Sequence, residues 1–250
     1  VFACDIKPSA KKAWEGYFQR EGVFHLESIV DLVKKAKNGE FVFPQADIVT
    51  GGFPCQDFSV AGKRKGFNSH KTHKNKVELD APTIESRGML YYWLREAIGI
   101  IKPKIFIAEN VKGLVSMGEV KEVIANDFRT TGGGYVVLEP RVLHAGDYGV
   151  PQSRERVIFI GVRKDLLGNE TIQKLLNNEL ELYPMPTHDA KSDFVSAKDA
   201  IFDLCEPEAS SDVAHQKYSK AKYYGRHCQG QTEINPHALA PTIRSEHHGN

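Results

Sequence analysis

Little in this sequence marks it as anything but an ordinary globular protein, and each shortage excludes a class. Among its 250 residues are only 4 cysteines. Cys4, Cys55, Cys205 and Cys228 are too widely separated for a disulfide framework or a C-x-x-C metal site, so a reducing, cytoplasmic setting is expected. No apolar run approaches the ~20 residues that a membrane helix needs, and no secretory signal is visible. Charge of one sign is lacking too: 33 Lys+Arg against 32 Asp+Glu leave a net +1, which says nothing about partners. There is no internal repeat. With 41% hydrophobic and 26% charged residues, disorder, collagen and coiled coil are excluded.

What is present is alternation. The length fits one large domain, or one domain with a smaller lobe. Residues 1–6 read as a short strand. Pro8 then opens a helix whose apolar stripe is Ala10, Ala13, Trp14, Tyr17 and Phe18. Asp47, Ile48 and Val49 form a strand that runs into Gly51 and Gly52. Leu90, Trp93, Leu94, Ala97, Ile98 and Ile101 share one helical face, and Pro103 stops that helix. Residues 104–108 form the next strand, ending at Glu109 and Asn110. Val120, Val123, Ile124 and Phe128 mark a helix closed by three glycines, and strands over 135–143 and 156–162 follow. Strands alternating with helices predict an α/β fold around a largely parallel sheet, with ligands at the carboxyl ends of the strands. Beyond Lys164 the pattern dissolves, which predicts a main domain over residues 1–163 and a smaller irregular lobe over 164–250.

Three constellations could carry chemistry. Cys55 follows a strand, two glycines and Pro54, in a turn too polar for core. A lone cysteine is most often a small buried hydrophobe; here its position favours a nucleophilic thiolate. Between Lys63 and Lys76 lie six Lys/Arg and no acidic residue, either a solvated loop or a phosphate-facing one. Glu109 is either a cap for the next helix or a carboxyl that exchanges a proton at the mouth of the sheet. Gln152-Ser153-Arg154-Glu155-Arg156 precedes a strand, and alternation on extended chain would turn Arg154 and Arg156 to one face.

In this order the pieces resemble the DNA (cytosine-5)-methyltransferases, of bacterial restriction–modification type. Pro54-Cys55-Gln56, Glu109-Asn110-Val111 and Gln152-x-Arg154-x-Arg156 carry the resemblance. Gly62–Phe67, Ser86–Leu90 and Asp147–Pro151 agree, and the likeness covers roughly residues 1–165. The resemblance implies a Rossmann-like class I methyltransferase sheet with a smaller target-recognition lobe, and S-adenosylmethionine as cofactor. Cys55 would add to carbon-6 of a cytosine flipped out of duplex DNA, Glu109 would hold ring nitrogen 3 and the amino group, and Arg154 and Arg156 would steady the carbonyl and the loop. Asp5 would bind the ribose hydroxyls, with Ile6 near the adenine and Pro54 and Leu90 also at cofactor-contacting positions. Gln56, Ser59, Lys63, Arg64 and Lys65 would meet DNA. No metal site is expected, since the adjacent His247 and His248 have no third ligand at suitable spacing.

The sequence also departs from that family. The glycine-rich cofactor loop would lie before Val1 and the last two motifs after Asn250, so the chain is expected to be the middle of a longer enzyme, a monomer or one completed by a second chain. Residues 68–85 are an insertion, and Ser28 stands where the resemblance implies an acidic residue that binds the adenine amino group. In the lobe, Arg226, Gln229, Gln231, Arg244 and Asn250 are candidate base readers. A tRNA-modifying relative would carry Cys-Phe-Thr there; Cys205 is followed by Glu206 and Cys228 by Gln229. A non-catalytic or split-enzyme DNA-binding subunit is the alternative from another class.

Overall fold

The computed structural model describes residues 1–53, 90–116, 120–188, 193–216 and 234–242. They fall in two compact units, one from Val1–Val142 and Arg156–Leu182, the other from Leu143–Glu155 and Tyr183–Asn250.

The first unit opens with β1 (Ala3–Cys4), α1 (Pro8–Phe18), β2 (Phe24–His25) and α2 (Ile29–Lys37). β1 and β2 pair in parallel as a two-stranded sheet. Ser28 starts α2 by accepting from the Val30 N–H at 3.2 Å, and Asp31 in the first turn with Lys34, Lys35 and Lys37 in the last complements the helix dipole. The main sheet uses β3 (Ile48–Gly52), β4 (Ile105–Val111), β5 (Tyr135–Val137), β6 (Arg141–His144) and β8 (Glu155–Arg163). Its path runs β3-β4-β8-β5, with β6 pairing β8 off this path. β3 and β4 are parallel; β8 is antiparallel to both β4 and β5. The sheet is therefore mixed where a largely parallel one was expected, because one strand returns against its neighbours.

Three helices belong to this unit's larger part: α3 (Leu90–Ile101), α4 (Val120–Thr130) and α5 (Asn169–Leu176). α3 ends as the Pro103 signal predicts, with Lys102 left-handed at φ 51°. It lies between two cores. Tyr91 and Ile98 join Phe106, Phe128, Tyr135 and Phe159 in one, while Leu90, Trp93 and Ala97 join Val30, Leu32 and Val33 in the other. Along β4 the parity is strict: Phe106, Ala108 and Asn110 are buried and the residues between them are not.

Several expectations need correction. The helix opened by Pro8 is there, but no residue of α1 is buried, and Tyr17 of its apolar stripe is 81% exposed. Val123 is exposed, and α4 buries Ile124, Ala125 and Phe128 instead. The strand read over 135–143 is two strands, β5 and β6. α5 was missed, although Ile172, Leu175 and Leu176 carry helical spacing.

The second unit contains β7 (Gln152–Ser153), α6 (Ala197–Ile201), α7 (Val213–Gln216) and β9 (Ala240–Pro241). β7 and β9 pair in parallel, Gln152 with Ala240 and Ser153 with Pro241. A capping box between Ser196 and Asp199 starts α6. Among the described residues, no helix is long and apolar enough to cross a membrane.

Candidate active site

The parallel register of β3 and β4 sets Gly52 directly beside Glu109, so both strands end at the same edge. In the antiparallel pairing of β4 with β8, Glu109 opposes Ile158 and Val111 opposes Arg156. Glu109 and Arg156 are thus diagonal neighbours on one face, while Asn110 and Val157 point into the core on the other. Arg156 Nε lies 2.6 Å from Glu109 Oε1, with side-chain exposures of 22% and 38%. Glu109 is therefore a half-exposed acid with one oxygen in a charge-assisted pair. The alternative, a helix cap, has no such contact behind it: the carboxylate is engaged by an arginine, and the Val111 N–H is taken by the Asn110 side chain at 2.8 Å.

Two residues that sequence reasoning left without a role complete this edge. A Cβ on Gly52 would sit 3.1 Å from Glu109 Oε2, so glycine there leaves room for the carboxylate. Asn110, 1% exposed, donates from Nδ2 to the Phe53 carbonyl at 3.4 Å. It fixes the last described residue before Pro54 and Cys55. The signal was present: a polar amide at the buried parity of an apolar strand needs a partner, and such a partner is structural or functional by necessity.

The remaining candidates are placed as follows. Arg154 lies between β7 and β8 in the second unit, where its N–H donates to the Gln152 carbonyl at 3.0 Å and its carbonyl accepts from the Ala145 N–H at 2.8 Å. The chain turns locally there, so strand alternation does not extend from Arg156 back to Arg154. Asp5 follows β1, exposed, and its Oδ1 accepts from the Lys7 N–H at 2.8 Å. Ile6 beside it is 42% exposed. A carboxylate and an apolar side chain exposed together at a strand's carboxyl end fit a ribose diol and an adenine. Leu90 is 7% exposed and belongs to the second core. Ser28, besides capping α2, is buried. Pro54, Cys55, Gln56, Ser59, Lys63, Arg64 and Lys65 lie outside the described residues, as do the 68–85 insertion, Cys228, Arg226, Gln229, Gln231, Arg244 and Asn250.

A mixed sheet with one reversed strand, helices packed on it, and an acid at the carboxyl edge defines the class I methyltransferase fold. Its comparison with solved structures agrees. A crystal structure described as a DNA modification methyltransferase encoded within a prophage (E. coli) superposes with a TM-score of 0.52 at 24% identity, over 82% of this chain and 49% of that one. The family follows from sequence: the model for C-5 cytosine-specific DNA methylase matches residues 1–246, and the chain belongs to that family. Among its relatives, Type II methyltransferase M.BspRI of Lysinibacillus sphaericus is 36% identical over 207 residues, 82% of this chain and 40% of the relative. Type II methyltransferase M.BsuRI of Bacillus subtilis is 38% identical over 209 residues, 82% of this chain and 39% of the relative. The chain spans about two-fifths of the length of these curated relatives.

Proposed function

We propose that the protein carrying this chain transfers a methyl group to carbon-5 of cytosine in duplex DNA, as part of bacterial restriction–modification in the cytoplasm. Bound S-adenosylmethionine supplies the methyl group, and Asp5 and Ile6 are the described residues that would hold its ribose and adenine. The observation that carries the reading is the Glu109–Arg156 pair at the shared edge of β3 and β4, where Gly52 lies beside Glu109 and the chain runs on through Phe53 to Pro54-Cys55.

The chemistry follows from the residue types. Carbon-5 of cytosine is a poor nucleophile until a thiolate has added across the 5,6 double bond. The Cys55 sulfur forms the bond to carbon-6, the π electrons shift toward nitrogen 3, and Glu109 holds the proton there. Arg156 keeps the Glu109 carboxyl in place, and with Arg154 it would steady the base carbonyl and the loop. After methyl transfer, loss of the carbon-5 proton returns the electron pair to the ring and expels Cys55 as thiolate. The base has to leave the stack for this, and Lys63, Arg64 and Lys65 with Gln56 and Ser59 would meet the backbone as it does. Residues 164–250 would carry target recognition, and the enzyme would act as a monomer.

The test is transfer of labelled methyl from S-adenosylmethionine to mixed-sequence duplex DNA by the full-length protein, with tRNA and Cys55→Ala as controls. Label on DNA cytosine alone, abolished in Cys55→Ala with DNA binding retained, is the expected result. Label on tRNA would move the substrate to RNA. Turnover by Cys55→Ala would remove Cys55 from the mechanism.

A further inference from the structure

β3 ends in two glycines that face opposite ways. Gly51 is paired with Ala108, which is fully buried, and a Cβ on it would come 2.7 Å from Leu94 Cδ1 of α3. Gly52 is paired with Glu109 and is exposed. A Cβ on it would meet Glu109 Oε2 at 3.1 Å and the Glu109 carbonyl oxygen at 4.0 Å. Beyond its chain neighbours, no other atom of the described residues lies within 4 Å of that position.

A glycine inside a strand weakens it, and it marks a bulge, a bend or a close approach. Gly52 is not in the left-handed backbone region, and the register with β4 advances residue by residue from Ile48 to Gly52 without a bulge. The close approach is to the carboxylate. Its two oxygens are placed differently: Oε1 is 2.6 Å from Arg156 Nε, while Oε2 lies against the bare side of Gly52. A methyl group there would act in one of two ways. It would turn the carboxylate away from Arg156, or it would occupy the shell of about 2.7–3.2 Å around Oε2 that a hydrogen-bonded ring nitrogen needs.

We propose that Gly52 is a positioning residue for Glu109: its missing side chain lets Arg156 hold Oε1 while Oε2 stays open, so that Oε2 is the oxygen that holds the proton at ring nitrogen 3 of the cytosine. The inference rests on the methyl-transfer reading given above, because an open carboxylate oxygen matters to turnover only if that reaction occurs. Displacing a reacting group by a fraction of its bond length acts on the chemical step rather than on cofactor affinity.

The test compares Gly52→Ala with Gly51→Ala, its neighbour on the opposite face, in the full-length protein. In steady-state methyl transfer to duplex DNA, Gly52→Ala should lower kcat by about tenfold and leave the KM for S-adenosylmethionine within about twofold. Its melting temperature should be unchanged or slightly raised, because alanine suits extended backbone and restricts the unfolded chain. Gly51→Ala, pressed against Leu94, should lower the melting temperature instead. In a Glu109→Ala background, where no carboxylate remains to be displaced, Gly52→Ala should change the residual rate by less than about twofold. An unchanged kcat in Gly52→Ala, a loss of kcat that comes with a matching loss of melting temperature, or effects that multiply in the double variant would overturn the proposal. The carbon-13 resonance of the Glu109 carboxyl, assigned by its disappearance in Glu109→Ala, gives a readout independent of turnover. It should move in Gly52→Ala, and an unmoved resonance counts against the glycine's role. A wild-type protein that transferred no methyl would defeat the functional reading instead, with the carboxyl resonance still deciding whether Gly52 governs Glu109.

Discussion

Glu109 and Arg156 are opposite charges that solvent still reaches, and this separates their structural worth from their chemical one. A half-exposed pair of this kind contributes less than about 1 kcal/mol to stability. Glu109→Gln keeps the shape and removes the proton-exchanging carboxyl. It should leave the melting temperature nearly unchanged while lowering methyl transfer by about 10²–10⁴-fold, the usual contribution of a positioned general acid–base. A variant that instead lost most of its folded fraction would make the pair structural. At this scale the sequence was legible where motif and parity coincide. Glu-Asn-Val at one strand end and an arginine at the start of a later strand named the two partners. Their meeting was not legible, because it depends on an antiparallel register between strands more than 40 residues apart, which is set by the packing of Val157 and Phe159 and by no local signal. Gly52 stayed silent for the same reason, and although the buried parity of Asn110 called for a partner, which group its amide reaches is known only when the neighbouring strand is in place.

At the scale of elements, the β4–β8 ladder that makes the site has a weak point of its own. Gly161 on β8 opposes Phe106 on β4, and a Cβ there would fall 2.0 Å from Phe106 Cε1. Phe106 is fully buried, 4.8 Å from the Phe128 ring and 5.2 Å from that of Tyr135, so it has nowhere to retreat. Gly161→Ala should cost about 1–3 kcal/mol, the usual penalty of overpacking, or roughly 3–10 °C in melting temperature for a chain of this size. Gly168→Ala is the control. It meets nothing within 4 Å, has an ordinary φ of −74° at the N-cap of α5, and should cost about 0.5 kcal/mol, because alanine caps a helix less well than glycine. Equal losses from both variants would mean that backbone freedom, not the Phe106 contact, explains the glycine. The sequence predicted the helices and strands with strong periodicity, α3 and β4 above all. It also predicted α1, whose apolar stripe is left without burial, and it passed over α5, a short helix set in polar sequence. An apolar stripe states which face can be buried; only the fold decides whether something covers it.

For the whole molecule, the first unit concentrates groups that resist losing a proton. Burial, with help from the Asp5 and Glu27 carboxylates, moves the Cys4 thiol from an ordinary 9.0 to about 11. Burial also moves the Tyr135 hydroxyl from 10.0 to about 12, where it donates to the Pro103 carbonyl at 2.8 Å. Tyr91 is raised beyond the usual tyrosine range, first by burial and then by its 2.8 Å bond to Asp127. Each shift favours the neutral form in the folded state. The unfolded chain therefore releases these protons at lower pH, and the stability they represent is intact below the ordinary values and lost as pH rises through the folded ones. The window is set by the values themselves: from about 9 to 11 for Cys4 and from about 10 to 12 for Tyr135. Both tryptophans of the sequence, Trp14 and Trp93, lie in this unit, and Trp93 is 4% exposed, so fluorescence reports on it selectively. Denaturant midpoints followed by tryptophan emission should stay level up to about pH 9 and then fall steadily. Cys4→Ala should flatten the first part of that fall and Tyr135→Phe the second, each offset by the packing or hydrogen bond it removes. A midpoint that instead fell below pH 8, or an alkaline slope that neither variant altered, would place the sensitive groups outside this core and show that its hydroxyl and thiol are not held neutral by burial.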